Sequence, residues 1–379
     1  MNKPFDHRFY KRITDKVKDG LLERGYDGLL LFDPFNVYYA TGFFHIPSER
    51  PIAAYIPASG DPSLFIPELE EDHAKENWIE DIRVYFEYPG KVDPVQWICG
   101  EIEEDNIAVD DVSQSKFKTI QVEKPNCQLS DVIYELRQCK EPEEIEYVEQ
   151  AARYADYAVN SAREVISQSV SKISEKEVLK HLKSDTEAKM KSDLEDKPLW
   201  FSCGATVHAG ERGALPHGTP TDRVVEPGDT VIVGVGASVG GYHAESACTF
   251  SIGEPSTEKK EWLDTAFAVR RVPKEEVGPG KRCGDIDNKA LDLIRENGFG
   301  DYIRHRLGHG IGLENHEAPW VQSGDDTRMR EGMVVSSEPG IYVPGEGGVR
   351  LIDTFLVTDS GNRLLSQYLE NSPEYVIPA

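Results

Sequence analysis

The stretch Leu307-Gly308-His309-Gly310-Ile311-Gly312-Leu313-Glu314-Asn315-His316-Glu317 sets two histidines and two glutamates between glycines, where an element built only for packing would carry large apolar side chains. It reads as a site and not as a core strand. Glycine permits close backbone approach and dihedrals closed to other residues. With His305 just upstream, three imidazoles that titrate near neutrality fall in one short run. The bland alternative is a glycine-rich loop with solvated histidines. Against it, three of the chain's ten histidines fall in this one place.

Outward from that stretch, 379 residues are enough for two domains. Hydrophobic residues at 39% and charged residues at 29% describe an ordinary globular protein, with no disordered class to invoke. The formal charge of -25 argues against nucleic acid, because a phosphate backbone is bound by Lys and Arg. A small-molecule substrate, cationic or zwitterionic, suits the charge better, although the acidity also fits a solubility or salt adaptation. No apolar run approaches the ~20 residues of a membrane span, and the start Met1-Asn2-Lys3-Pro4-Phe5-Asp6-His7 lacks a signal's apolar core. A cytoplasmic protein with no membrane partner is expected. The six cysteines lie far apart without a Cys-x-x-Cys pair, and are read as reduced thiols.

The fold class expected is α/β (α+β). Phe9, Ile13, Val17 and Leu21 recur at helical spacing between Asp6 and Arg24, and Gly25 stops that helix. Strands follow at Leu29 to Phe32, Arg50 to Ile56, Ser63 to Ile66, Val84 to Phe86 and Ile107 to Val109, giving a first domain over residues 1–138. A second domain, 139–379, opens with Pro142 and a long amphipathic helix through Ile145, Val148, Ala152, Ala155, Val159 and Ala162. Ser174 and Glu177 form a capping-box pattern. Leu199-Trp200-Phe201, Val231 to Val233 and Tyr242 to Phe250 read as strands, the last two joined by Gly240 and Gly241 in a hairpin. A helix from about Glu261 to Val277 is expected to break at Pro273, and strands close the chain at Val334 to Ser337 and Leu351 to Val357.

His208, His217, His243, His305, His309 and His316 gather in the latter part of the second domain, among Glu245, Glu338 and Glu346. On a strand from Tyr242, the period of two puts His243 and Glu245 on one face. Five segments in order, Ala214-Leu215-Pro216-His217-Gly218, Gly228-Asp229-Thr230-Val231, Gly241-Tyr242-His243-Ala244-Glu245, the Gly308-to-Glu317 stretch and Ser337-Glu338-Pro339-Gly340-Ile341-Tyr342, resemble the aminopeptidase P, prolidase and creatinase family. That resemblance covers essentially the whole chain. It implies a creatinase-type N-terminal α/β domain before a "pita-bread" catalytic domain, in a homodimer.

The peptidases of that family hold two metal ions with two Asp, one His and two Glu. Carried onto this chain, those positions are Gly234, Glu245, His309, Glu338 and Ile352, so glycine and isoleucine stand where two carboxylates belong. In the metal-free creatinase branch a histidine transfers the proton, and it matches His217; a substrate-binding arginine matches Arg50. The reading favoured on sequence is therefore a metal-independent, creatinase-like hydrolase of a C–N bond in a small amidine, guanidino or amide compound, with no cofactor. Its catalytic set would be His217, Glu245, His309, Glu338, His305 and His316, with Arg50, His243 and Arg350 binding substrate. The chemistry behind it is that an amidine carbon is already electron-poor, whereas a peptide carbonyl needs a Lewis acid. The alternatives are a one-metal Xaa-Pro aminopeptidase or dipeptidase with one Mn, Zn, Co or Fe ion on Glu245, His309 and Glu338, and a non-catalytic binding protein on the same fold.

Overall fold

A computed structural model describes residues 4–86, 90–195 and 200–379. Leu199, the first residue of an expected strand, lies outside the described residues, and the strand found there runs Phe201–Ala209. The chain divides into two compact units, Met1–Arg137 and Gln138–Ala379.

In the first unit the helix His7–Arg24 is capped by Asp6, whose carboxylate accepts from the Arg8 and Phe9 amides, and it ends at Gly25 with φ 74°. Phe9, Ile13, Val17 and Leu21 are buried, as their spacing requires. A mixed six-stranded sheet follows, built from β1 (Gly28–Leu31), β2 (Ala53–Pro57), β3 (Ser63–Pro67), β4 (Asp81–Tyr85), β5 (Ile107–Val109) and β6 (Gln128–Leu129) in the order β4-β3-β2-β1-β5-β6. Leu29, Leu30 and Leu31 are fully buried at its centre, each contributing about 1.5–3 kcal/mol of apolar burial.

The second unit opens on the helix Pro142–Gln168, with proline in its first turn and a capping box between Glu141 and Glu144. It packs Val148, Ala152, Ala155, Val159 and Ala162 inward. Ser174 caps the next helix, Glu175–Asp193, through the Glu177 amide. Against these lies a four-stranded sheet made of β7 (Phe201–Ala209), β8 (Thr230–Val239), β9 (Tyr242–Ile252) and a closing strand near the C-terminus. Gly240 and Gly241 turn β8 into β9 with φ of 60° and 90°. A five-stranded sheet contains β10 (Gly308–Gly310), β11 (Glu317–Val321) and β12 (Val334–Ser337). After the separate hairpin of β13 (Gly340–Val343) and β14 (Gly347–Arg350), it continues through β15 (Asp353–Val357) and β16 (Asn362–Leu364), in the order β11-β10-β12-β15-β16. The C-terminal strand of the four-stranded sheet is β17 (Val376–Ile377). A bridge between Ala247 and Ile352 links β9 to the approach of β15.

Two expectations change. The helix anticipated over Glu261 to Val277 is two helices, Thr257–Val269 and Arg271–Glu276. Pro273 therefore sits in the first turn of the second helix, where its missing N–H has no bond to lose. The glycine-rich stretch is also a core strand and not only a site: β10 is buried between β11 and β12. Its glycines are sterically required, since a Cβ at Gly308 would lie 1.9 Å from the Ser336 carbonyl and one at Gly310 would lie 2.3 Å from the Ala318 carbonyl. Among the described residues no helix is long and apolar enough to cross a membrane.

Candidate active site

Five segments of the second unit converge on one cleft. β9 presents His243 and Glu245 on the same face, opposite Ser238 and Gly236 of β8. β10 supplies His309, and the loop after it supplies Asn315 and His316. Glu338 follows β12, with its amide bonded to the Leu307 carbonyl at 2.7 Å. Arg350 ends β14 and shares two hydrogen bonds with Thr249, its amide donating at 2.9 Å and its carbonyl accepting at 2.8 Å. A cavity of about 380 Å³ takes in Gly234, His243, Glu245, Asn315 and Ile352. A second, of about 540 Å³, takes in Arg304, His305 and His309. His217, His316, Glu338 and Arg350 line both.

At the centre, His309 Nε2 lies 2.8 Å from Glu338 Oε1 and 3.7 Å from Glu245 Oε2. Its Nδ1 points to the Gly310 carbonyl at 3.0 Å, and its ring stacks on His316 with centroids 3.8 Å apart. Glu245 is held at both oxygens: Asn315 Nδ2 donates to Oε1 at 2.8 Å and Ser336 Oγ donates to Oε2 at 2.7 Å. Neither Asn315 nor Ser336 is legible in the sequence as a site residue. Tyr342, quoted only within a motif, places its hydroxyl 2.8 Å from His305 Nε2, while His305 Nδ1 bonds the Arg306 carbonyl at 2.7 Å. His305 is thereby a neutral ring that accepts from Tyr342. His243 directs Nδ1 to the Gly312 carbonyl at 3.1 Å. His217 stands exposed in the loop between β7 and β8, at the mouth of the cleft. His208 is buried against the Gly218 carbonyl and serves that loop. Arg50 belongs to the other unit, where it pairs with Glu49.

The charges follow from this packing. Burial, and then the charge of Glu338, push the Glu245 carboxyl up. Burial also works against an ionised Glu338, but the His309 hydrogen bond and charge outweigh it and hold that carboxyl low. For His309 burial is overcome by the bond to Glu338 and the charge of Glu245, so its imidazolium is favoured. Partial covering and the neighbouring His309 charge bring His316 down to about 4. Burial lowers His305 and His243. The arrangement thus pairs an ionised carboxylate with one favoured imidazolium and sets imidazoles of lowered proton affinity beside them in the same cleft, the divergence on which acid and base roles rest.

The donor atoms also decide what metal the site would take. One ligand atom each from Glu245, His309 and His316 lies within 4.8 Å of the others, a His₂-carboxylate set of the kind that holds a catalytic ion with an open position. A second ion does not fit. Gly234 and Ile352 offer no donor, and the place a Gly234 side chain would occupy is taken by Arg350, whose Nη2 lies 2.6 Å from an ideal Cβ there.

Residues 146–359 match metallopeptidase family M24, and residues 14–140 match the creatinase/prolidase N-terminal domain. The chain is 34% identical over 363 residues to the Xaa-Pro dipeptidase of Pyrococcus furiosus, covering 94% of this chain and 98% of that protein. Among solved structures, the dipeptidase PepE of Mycobacterium ulcerans superposes with a TM-score of 0.88 at 27% identity, over 99% of this chain and 100% of the other. The prolidase of Pyrococcus horikoshii superposes with a TM-score of 0.82 at 28% identity, over 94% and 98%. These findings overturn two expectations from sequence. The metal-independent, creatinase-like hydrolase gives way to the dipeptidase alternative, because relatives matched over nearly the whole chain are named Xaa-Pro dipeptidases. The expected absence of a cofactor gives way to a divalent ion, because the family is one of metallopeptidases and a three-residue donor set is in place.

Proposed function

The chain belongs to metallopeptidase family M24, hydrolases of peptide C–N bonds, and on that premise we propose that it is a dipeptidase for substrates with proline in second position, working with one divalent ion at Glu245, His309 and His316. The observation that carries this reading is the convergence of those three donors in a chain that matches an Xaa-Pro dipeptidase over 94% of its length. When bound, the ion supplies Lewis-acid stabilisation of charge developing on the scissile carbonyl.

The chain's own residues do the rest. Asn315 and Ser336 hold the Glu245 carboxylate in one orientation, as partners behind a metal ligand do. Glu338 lines both cavities beside the donor set, which places it to accept a proton from the attacking water. His217, exposed at the mouth, gives a proton to the departing imino nitrogen as the C–N bond breaks and is reprotonated from solvent. His305 orients Tyr342. His243, with Nδ1–H engaged by Gly312, offers Nε2 as an acceptor for the substrate's ammonium group. Homodimerisation, with Arg50 as a substrate contact, belongs to the same proposal; light scattering should give about twice 42.4 kDa.

The test is release of proline from a panel of Xaa-Pro dipeptides by protein loaded with Mn, Co, Zn or Fe, before and after chelation. Chelator-sensitive release supports the proposal. Metal-loaded, folded protein that releases no proline from any member of the panel contradicts it.

A further inference from the structure

Two side chains of the site, Asn315 and His316, stand on the irregular loop 311–316 between β10 and β11. Among the described residues no hydrogen bond holds the His316 ring, which stacks on His309 with centroids 3.8 Å apart. Asn315 reaches Glu245 from the same loop. Where both side chains stand therefore depends on the backbone that carries them. Against that backbone lies a buried ion pair to which the reaction gives no part: Lys140 Nζ and Glu317 Oε1 are 2.7 Å apart, with side chains 1% and 8% exposed. The second Glu317 oxygen accepts from the Glu314 amide at 3.3 Å. Gly312 packs directly on the pair, since a Cβ there would lie 2.4 Å from Glu317 Oε1 and 2.7 Å from Lys140 Cε. The Gly312 carbonyl in turn accepts from the His243 amide at 2.8 Å and from its ring Nδ1 at 3.1 Å. Lys140 is itself fixed through its amide, which donates to the Gly332 carbonyl at 2.8 Å. A buried ion pair is a weak source of stability, because apolar side chains of similar volume often serve as well. An apolar pair could not accept from the Glu314 amide.

We propose that Lys140 and Glu317 are positioning residues for the ion: by clamping the loop at Gly312 and Glu314, they set His316 against His309 and Asn315 against Glu245. Neither residue lines the two cavities, so both act through the loop. The inference rests on the reading that a divalent ion binds at Glu245, His309 and His316. With the clamp intact the donors are held in place before the ion arrives. Without it, ordering the loop becomes a cost of binding, and affinity falls.

The test is chelator competition with Mn and Co, together with the visible spectrum of the Co-loaded protein and a thermal melt of the metal-free protein. It compares wild type, Glu317→Gln and the double variant Lys140→Met/Glu317→Met. The double variant replaces the pair by apolar side chains of similar length, so that a merely stabilising role is made good. Both variants should nevertheless lose about 10–100-fold in ion affinity, the scale of partners behind metal ligands. Their cobalt bands should move towards those of His316→Ala, a shift that lost stability alone would not produce. If the double variant fails to fold, Glu317→Gln carries the test, because it keeps the side chain's volume and an oxygen towards Lys140. Affinity within about threefold of wild type, with an unchanged cobalt spectrum, in either folded variant overturns the proposal and leaves the ion reading standing. A folded wild type that takes up neither ion discards that reading and the proposal with it.

Discussion

Ser336→Ala isolates one bond in the site. The hydroxyl is fully buried on β12 and donates to Glu245 Oε2 at 2.7 Å, while the Ser336 backbone stays paired to His309 and Thr354. The substitution removes one donor and leaves the ladder intact. A hydrogen bond to an ionised group contributes about 1.5–3 kcal/mol. At about 1.4 kcal/mol per decade, that corresponds to a loss of roughly 10–100-fold in affinity for a divalent ion, the same scale found for partners behind metal ligands. The sign is fixed by the carboxyl itself: burial already pushes Glu245 up, and losing a donor pushes it further, so protons compete better and the loss grows as pH falls. Chelator competition with Mn or Co reads the affinity, and a thermal melt of the metal-free protein checks folding. Asn315→Ala removes the other donor, at 2.8 Å, and should act alike. Metal affinity within about threefold of wild type in a folded Ser336→Ala protein would show that this bond does not hold the ligand.

Three other outcomes are expected. His217→Ala should lower kcat on a Xaa-Pro dipeptide by ~10²–10⁴-fold with KM nearly unchanged, as for loss of a proton-transfer group; steady-state kinetics with near wild-type turnover would remove His217 from the mechanism. Lys140→Met should destabilise by about 3–5 kcal/mol in urea unfolding, because Lys140 Nζ and Glu317 Oε1 pair at 2.7 Å with their side chains 1% and 8% exposed; a change below about 1 kcal/mol would place that pair among exposed ones. Asp110 accepts from the Phe32 and Asp33 amides and from Asn36, yet burial pushes its carboxyl up to about 7. A raised folded pKa gives stability that is present in full below the unfolded value and is lost as pH rises toward 7. The stability of wild type relative to Asp110→Asn should therefore fall between pH 4.5 and 7 in denaturant titrations; a rise would mean that the three N–H donors keep the carboxylate ionised.

What the sequence revealed depended on whether the signal was local. The helix His7–Arg24 is announced by Asp6 before it and Gly25 after it, and Pro142–Gln168 by its proline and its apolar stripe. The helix Cys283–Glu296 was missed although Ile286, Ala290 and Ile294 are buried at helical spacing, because Arg282 at its start offers no side-chain cap. β8 and β9 run well past their apolar centres, since their ends carry glycine, serine and alanine facing a cleft. In the site, histidines and glutamates stood out by chemistry alone. Asn315 and Ser336 did not, being ordinary polar residues until Glu245 is brought between them. Gly234 was legible as a missing carboxylate; that Arg350 fills the space beside it depends on the β13–β14 hairpin folding back over β8.

Anomalous diffraction from crystals grown in excess manganese tests the one-ion dipeptidase most directly. The account predicts a single peak among Glu245, His309 and His316, with the Arg350 guanidinium and no second ion beside Gly234. Two well-occupied ions, or none with dipeptidase activity intact, would contradict it.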